Sequence, residues 1–191
     1  MLERTLAETK VGRAKLFIAL MTEAFKGDEH YLEKIEDFIN VLDEMNYFTA
    51  PASAGHHGNY EGGLFDHSYE TTLALLDLTE KLDLKWPRHE SPYLIGMLHD
   101  ICKCDNYIYN EELKKYEYNS NLTLSGHGDK SAILAQKIWP LLEEEILCIR
   151  WHMGAYDNKE NWNYLGAAIE KYPNVLYTHT ADMIASRIKG I

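Results

Sequence analysis

The sequence predicts an all-α fold interrupted by one small β-hairpin, and three observations lead there. Apolar residues recur at spacings of three and four through most of the 191 residues. Gly27-Asp28, the glycine-rich loop from 49 to 63 and Trp139-Pro140 separate those runs. One stretch, from about 106 to 122, abandons that period and alternates tyrosines instead.

Taken in order, helical patterns run from about 3 to 25 and from about 30 to 46, separated at Gly27-Asp28. The second carries Leu32, Ile35, Phe38, Ile39 and Leu42 on one face. A loop follows from 49 to 63, broken by Pro51, Gly55, Gly58, Gly62 and Gly63. Asp66 can cap a helix reaching about Leu82, on which His67, Thr71, Leu75, Leu78 and Leu82 share the inward face. Ser91-Pro92 then opens a helix to about Cys104, with serine as cap and proline in the first turn. Its stripe is Leu94, Met97, Leu98 and Ile101, and Gly96 leaves room for a ligand to approach. In the hairpin, Tyr107/Tyr109 and Tyr116/Tyr118 alternate around Asn110-Glu111-Glu112. Helices resume at Gly126, break at Trp139-Pro140, and continue to about Met153. After a polar loop from 157 to 163, a helix spans about Trp162 to Tyr172, and Asn174 caps a last one carrying Asp182.

The length suits one domain over 1–191, with helices in 1–50 packing on a core at 57–188. A formal charge of -11 argues against sequence-independent or stable duplex nucleic-acid binding, which depends on cations neutralising phosphates. It leaves room for a small phosphate ester, because bound metal ions invert the local field. Cys102, Cys104 and Cys148 are odd in number, and Cys102-x-Cys104 lacks a partner pair, so a reduced, cytoplasmic setting is expected; metal binding by Cys102 and Cys104 is the lesser reading, since zinc-type cysteine sites need more ligands at set spacings. No run approaches the ~20 apolar residues of a membrane span, and the start lacks a signal-peptide core.

Chemistry concentrates in Met97-Leu98-His99-Asp100-Ile101-Cys102-Lys103. Adjacent imidazole and carboxylate, with lysine a turn on, suit metal beside an anionic substrate. His67 precedes this run, and His127, His152 and Asp182 follow it. Imidazole with carboxylate favours zinc, iron, manganese or nickel over calcium. Singly, each has a plainer role: His67 as a core histidine, His127 as a helix-start residue, His152 as filler behind Trp151, Asp182 as a surface carboxylate. Six in one order make the case.

At these residues the chain resembles the HD-domain metal-dependent phosphohydrolases, over roughly 57 to 188. Gly62-Gly63-Leu64-Phe65-Asp66-His67-Ser68, the His99-Asp100 run and Ala181-Asp182-Met183-Ile184 are similar to that family's ligand segments. The resemblance implies an HD-type helical bundle with His67, His99, Asp100 and Asp182 around one metal. Ser125-Gly126-His127-Gly128 and Ile149-Arg150-Trp151-His152-Met153-Gly154 resemble the extra histidines of the dinuclear subgroup, as in bacterial HD-type diadenosine tetraphosphatases. The loop from His57 through Gly62-Gly63-Leu64 to His67 is also similar to HD domains of bacterial 3′–5′ exoribonucleases and of phage and Firmicute hydrolases. The hairpin departs from the compact tetraphosphatase pattern, and the Gly-Tyr-Pro motif of cyclic-di-GMP phosphodiesterases is missing.

The function so implied is hydrolysis of a phosphoester or phosphoanhydride in a nucleotide-type substrate, using a water activated between two divalent transition metals. Iron comes first, then manganese, nickel or zinc. Asp100 bridges, His127 and His152 complete the second metal, and Lys103 stabilises phosphoryl charge. Arg150, Lys130 and His57 are further candidates for substrate contact, and His179 for orienting Asp182. Tyr107 and Tyr109 either stack on a base or cover a core edge. Two other readings stay open: a diiron oxygenase, since inositol oxygenase shares this ligand set, and a metal-stabilised binding module. A homodimer is compatible with the class.

Overall fold

A computed structural model describes residues 8–55 and 58–191. Among them are eight α-helices and one two-stranded hairpin. The helices are α1 (Lys10–Ala24), α2 (Tyr31–Glu44), α3 (Gly63–Leu82), α4 (Ser91–Leu98), α5 (His127–Ile138), α6 (Glu143–Trp151), α7 (Trp162–Lys171) and α8 (Asn174–Met183). The all-α expectation with a hairpin insertion is met. Residues 3–7 of the first predicted helix lie outside the described residues.

The helices that matter most for function pack as a nest around α3, which meets α4 on one side and α8 on another. Helix α6 contacts α4, α5 and α8. Apolar burial drives this: Leu64, Phe65, Leu75, Leu94, Ile95, Met97, Leu98 and Ile149 are all fully buried. An aromatic cluster ties α1 and α2 to that core. Phe17 sits edge-on to Phe38 and Phe48, at 5.2 and 5.8 Å, and Phe48 continues to Phe65 at 5.7 Å.

Two glycines set how closely helices approach. A Cβ on Gly96 would lie 2.7 Å from Thr72 Cα, so α4 and α3 meet backbone to side chain only because none is there. Gly96 therefore serves the α3–α4 contact and not the ligand approach that the sequence suggested. Gly128 does the same for α5, where a Cβ would run into the Arg150 carbonyl of α6. That closeness brings His127 beside His152.

Several predicted caps differ. Helix α3 starts at Gly63, three residues before Asp66, because the Asp66 N–H already donates to the Gly62 carbonyl at 3.1 Å. The Asp66 carboxylate instead accepts from the Tyr60 hydroxyl and faces Arg13. The Ser91 hydroxyl donates to buried Glu145 rather than capping α4. Asn174 is the first residue of α8, and its amide donates to the Lys85 carbonyl and Glu144.

The hairpin pairs Tyr107–Asn110 with Lys115–Tyr118, antiparallel, with Tyr107 opposite Tyr118 and Tyr109 opposite Tyr116. Asn110 Oδ1 accepts from the N–H groups of Glu112 and Leu113, which starts the turn. After α8 the chain loosens into a π-helix, Ile184–Lys189. Among the described residues, no helix is long and apolar enough to cross a membrane.

Candidate metal centre

The helix predicted to run through to Cys104 ends at Leu98, and a 3-10 turn covers Ile101–Cys104. The change has a chemical result. With about three residues per 3-10 turn, side chains at i and i+3 eclipse. The Lys103 N–H donates to the Asp100 carbonyl at 2.9 Å, and its ammonium stands 2.5 Å from Asp100 Oδ2. Lys103 and Asp100 are both buried. Burial opposes charge on both, but their attraction wins: it raises the Lys103 pKa and holds Asp100 well below the usual carboxylate range.

His99 and His152 each stand just past the end of a helix, α4 and α6. Each turns its Nδ1 back to a carbonyl three residues earlier, Gly96 at 2.8 Å and Ile149 at 2.7 Å. A carbonyl only accepts, so both Nδ1 atoms carry the proton. These are carbonyls that a helix end leaves without an intrahelical donor. His67, in the second turn of α3, donates its Nδ1–H to the Ile191 carbonyl at 2.9 Å. Three rings are thus held by main-chain acceptors, each presenting Nε2 inward, as outer partners of metal-bound histidines do.

The inward atoms converge on the two oxygens of Asp100. Toward Oδ2 lie His67 Nε2 at 3.3 Å and His99 Nε2 at 3.5 Å. His67 Nε2 is also 3.2 Å from Asp182 Oδ1 and 3.2 Å from His99 Nε2. Toward Oδ1 lie His127 Nε2 at 2.6 Å and His152 Nε2 at 3.3 Å. All six predicted ligands therefore meet, with Asp100 shared between two groups.

The protons of this pocket stand where cations could. Burial disfavours a charged His67, yet hydrogen bonds to Asp100 and Asp182 outweigh it and raise the ring to about 9. Burial also opposes a charged His127, but the Asp100 charge beside it wins and raises the ring to about 10. Burial pushes His152 the other way and keeps it neutral. Its Nε2 is buried with no hydrogen-bond partner. A buried acceptor aimed at a carboxylate, without a proton to offer, is a costly arrangement that a bound cation would relieve. Nitrogen and carboxylate donors in this number suit a divalent transition metal, and the buried clusters here could hold one or more.

The other expected residues fall differently. Lys130 is buried with its ammonium on Asp105 and Asn106. The Arg150 guanidinium is taken by Asp129 and Asp157 and lies over Trp151. Both sets of donors are already spent on neighbours of opposite charge, and neither residue lines the cavity over the site. His57 lies outside the described residues. His179 donates to the His152 carbonyl at 2.7 Å instead of orienting Asp182, because its ring packs against the Gly154 turn.

That cavity, about 200 Å³, is lined by Asp100, Lys103, His127 and Asp182, and also by Tyr107, Tyr156 and Arg187. Arg187 and Tyr156 were not anticipated. No sequence periodicity points to Arg187, because a π-helix rather than an α-helix carries it from Asp182 to the cavity. Tyr156 sits in a short 3-10 turn, Gly154–Tyr156, directly after His152-Met153. That adjacency to a predicted ligand was the available signal.

Compared with known proteins, the chain is similar to a dihydroneopterin 2′,3′-cyclic phosphate phosphodiesterase from Methanocaldococcus jannaschii. The two are 31% identical over 97 residues, covering 44% of this chain and 39% of that protein. The chain thus matches well under half the length of this curated relative. No family model and no solved structure matches.

Proposed function

We propose that the chain is a metal-dependent phosphohydrolase of the HD type, cleaving a small nucleotide-like phosphoester with two divalent transition-metal ions. One observation carries the reading: Asp100 divides its oxygens between His67, His99 and Lys103 on one side and His127 and His152 on the other. His67, His99, Asp100 and Asp182 would hold one ion, and Asp100, His127 and His152 the other. Iron, manganese, nickel and zinc all suit these donors. When bound, such ions polarise the phosphoryl group and make water acidic enough to attack phosphorus.

The chain's own residues do the rest. Lys103, kept charged by Asp100, faces the cavity and stabilises negative charge building on the phosphoryl oxygens. Main-chain carbonyls behind His67, His99 and His152 fix the rings, so little reorganisation accompanies reaction. Tyr107 and Tyr156 offer aromatic faces to a heterocycle attached to the phosphate, and Arg187 offers a second positive charge. The relative's name supports a phosphodiester with a cyclic phosphate among the substrates.

The test is a screen of metal-loaded protein against 2′,3′-cyclic nucleotides, mononucleotides, dinucleoside polyphosphates and bis-p-nitrophenyl phosphate, with His99→Ala alongside. Cleavage by the wild type that vanishes in the variant supports the reading. Oxygen uptake with an organic substrate and no phosphoester cleavage would replace it with the oxygenase.

A further inference from the structure

Cys102 is a buried donor that the hydrolytic scheme leaves unused. Its Sγ, an Asp100 carboxylate oxygen and a His127 ring nitrogen all lie within 4.8 Å of one another. The thiol is fully buried. The Asn106 side-chain amide donates to Sγ at 3.6 Å. Its orientation is fixed from behind, because the Lys130 ammonium, which can only donate, sits 2.8 Å from Asn106 Oδ1. Lys130 is in turn paired with Asp105. Two charged groups thus hold the Asn106 N–H against this one sulfur. Independently, on the same side of Asp100, His152 Nε2 is buried, unpartnered and 3.3 Å from Oδ1.

We propose that Cys102 is a sulfur ligand, so that a cation on the Oδ1 side of Asp100 is held by Asp100, His127 and Cys102. This builds on the reading of the pocket as a metal centre but changes its chemistry from nitrogen and oxygen alone to a mixed set with sulfur. Thiolate ligation displaces the thiol proton on binding. It also biases this position toward zinc, cobalt or iron and away from magnesium and manganese, which prefer oxygen. The other two cysteines do not compete. Cys104 belongs to the same 3-10 turn but is outside the trio, and burial pushes its thiol up. Cys148 is in the core of α6, facing Thr178.

The experiment is cobalt titration of chelator-stripped full chain, read by absorption. A near-ultraviolet sulfur-to-cobalt charge-transfer band is expected in the wild type, absent in Cys102→Ser and retained in Cys104→Ser and Cys148→Ser. Zinc-edge X-ray absorption of the unmutated protein gives a second reading, with a sulfur scatterer near ~2.3 Å expected; it needs no variant to fold. Cobalt bound without the band, or a band that survives Cys102→Ser, overturns the proposal and leaves hydrolysis standing. A band without cleavage of any phosphoester upholds Cys102 while sinking the hydrolase reading. No metal bound at all overturns both.

Discussion

His67 and Ile191 are 124 residues apart, yet the His67 Nδ1 lies 2.9 Å from the Ile191 carbonyl. The end of the described chain is pinned there by two more contacts. Ile191 N–H donates to the Ala185 carbonyl at 3.1 Å, and Lys189 pairs with Glu70 of α3 at 2.5 Å. Between them Gly190 takes a positive φ of 73°. A candidate ligand on α3 is thus oriented by a segment beyond α8.

Replacing Gly190 with valine tests that dependence. A β-branched residue at this φ costs about 1–3 kcal/mol and would shift the carbonyl behind His67. Loss of such an outer partner weakens metal binding by about 10–100-fold. Competition with a chromophoric chelator should show that loss, while the metal-free protein keeps its helical circular dichroism. An unchanged affinity would show that His67 needs no such support.

Lys103 is expected to separate binding from turnover. Lys103→Met removes the ammonium beside Asp100 while keeping much of the buried stem. Metal per chain should hold, since the Asp100 oxygens become freer. Phosphoester cleavage should fall by about 10²–10³-fold in kcat, the usual cost of one electrostatic donor to a transition state. If metal content falls in parallel with activity, Lys103 is structural support for Asp100 and not a catalytic residue.

The gathering of these six side chains was legible in the sequence from their order and flanking motifs, with apolar periodicity turning His67 inward. What sequence could not show depends on local geometry. A 3-10 turn and an α-helix share the pattern at Ile101–Cys104, yet only the first eclipses Asp100 and Lys103. His179 has the spacing to reach Asp182 but turns to the His152 carbonyl. Arg150 and Lys130 looked free because their carboxylate partners, Asp129, Asp157 and Asp105, carry no signal of pairing in one dimension. Cys102 meets His127 across 24 intervening positions, beyond any spacing rule.

The titration of His67 and His127 sets an expectation for the metal-free protein. Their folded pKa values, about 9 and about 10, lie above the ordinary ~6.5 of an unfolded histidine. Groups raised on folding stabilise fully below the unfolded value and lose that stabilisation as pH rises through the folded one. Thermal melts of chelator-treated protein should therefore fall in midpoint from about pH 6.5 to pH 10. Bound cations replace those protons, so metal-loaded protein should lose less over the same range. A metal-free midpoint that stays level to pH 10 would contradict the ion pairing around Asp100.

Two arginines should separate structure from recognition. Arg150 is held between Asp129 and Asp157 and lies over Trp151 with its guanidinium carbon 4.1 Å from the ring centre. Removing it strands partly buried Asp157, so Arg150→Ala should cost about 1–3 kcal/mol in urea unfolding. KM should be unaffected, because Arg150 does not line the cavity. Arg187 is exposed and lines the cavity, near the Tyr156 ring. Arg187→Ala should leave the unfolding midpoint within about 0.5 kcal/mol, as surface substitutions do. It should raise KM for a doubly anionic substrate more than for a neutral-ended diester, by about tenfold for one charge-assisted contact. Equal KM changes for both substrates would mean that Arg187 only closes the rim, and a KM effect at Arg150 would return it to the substrate.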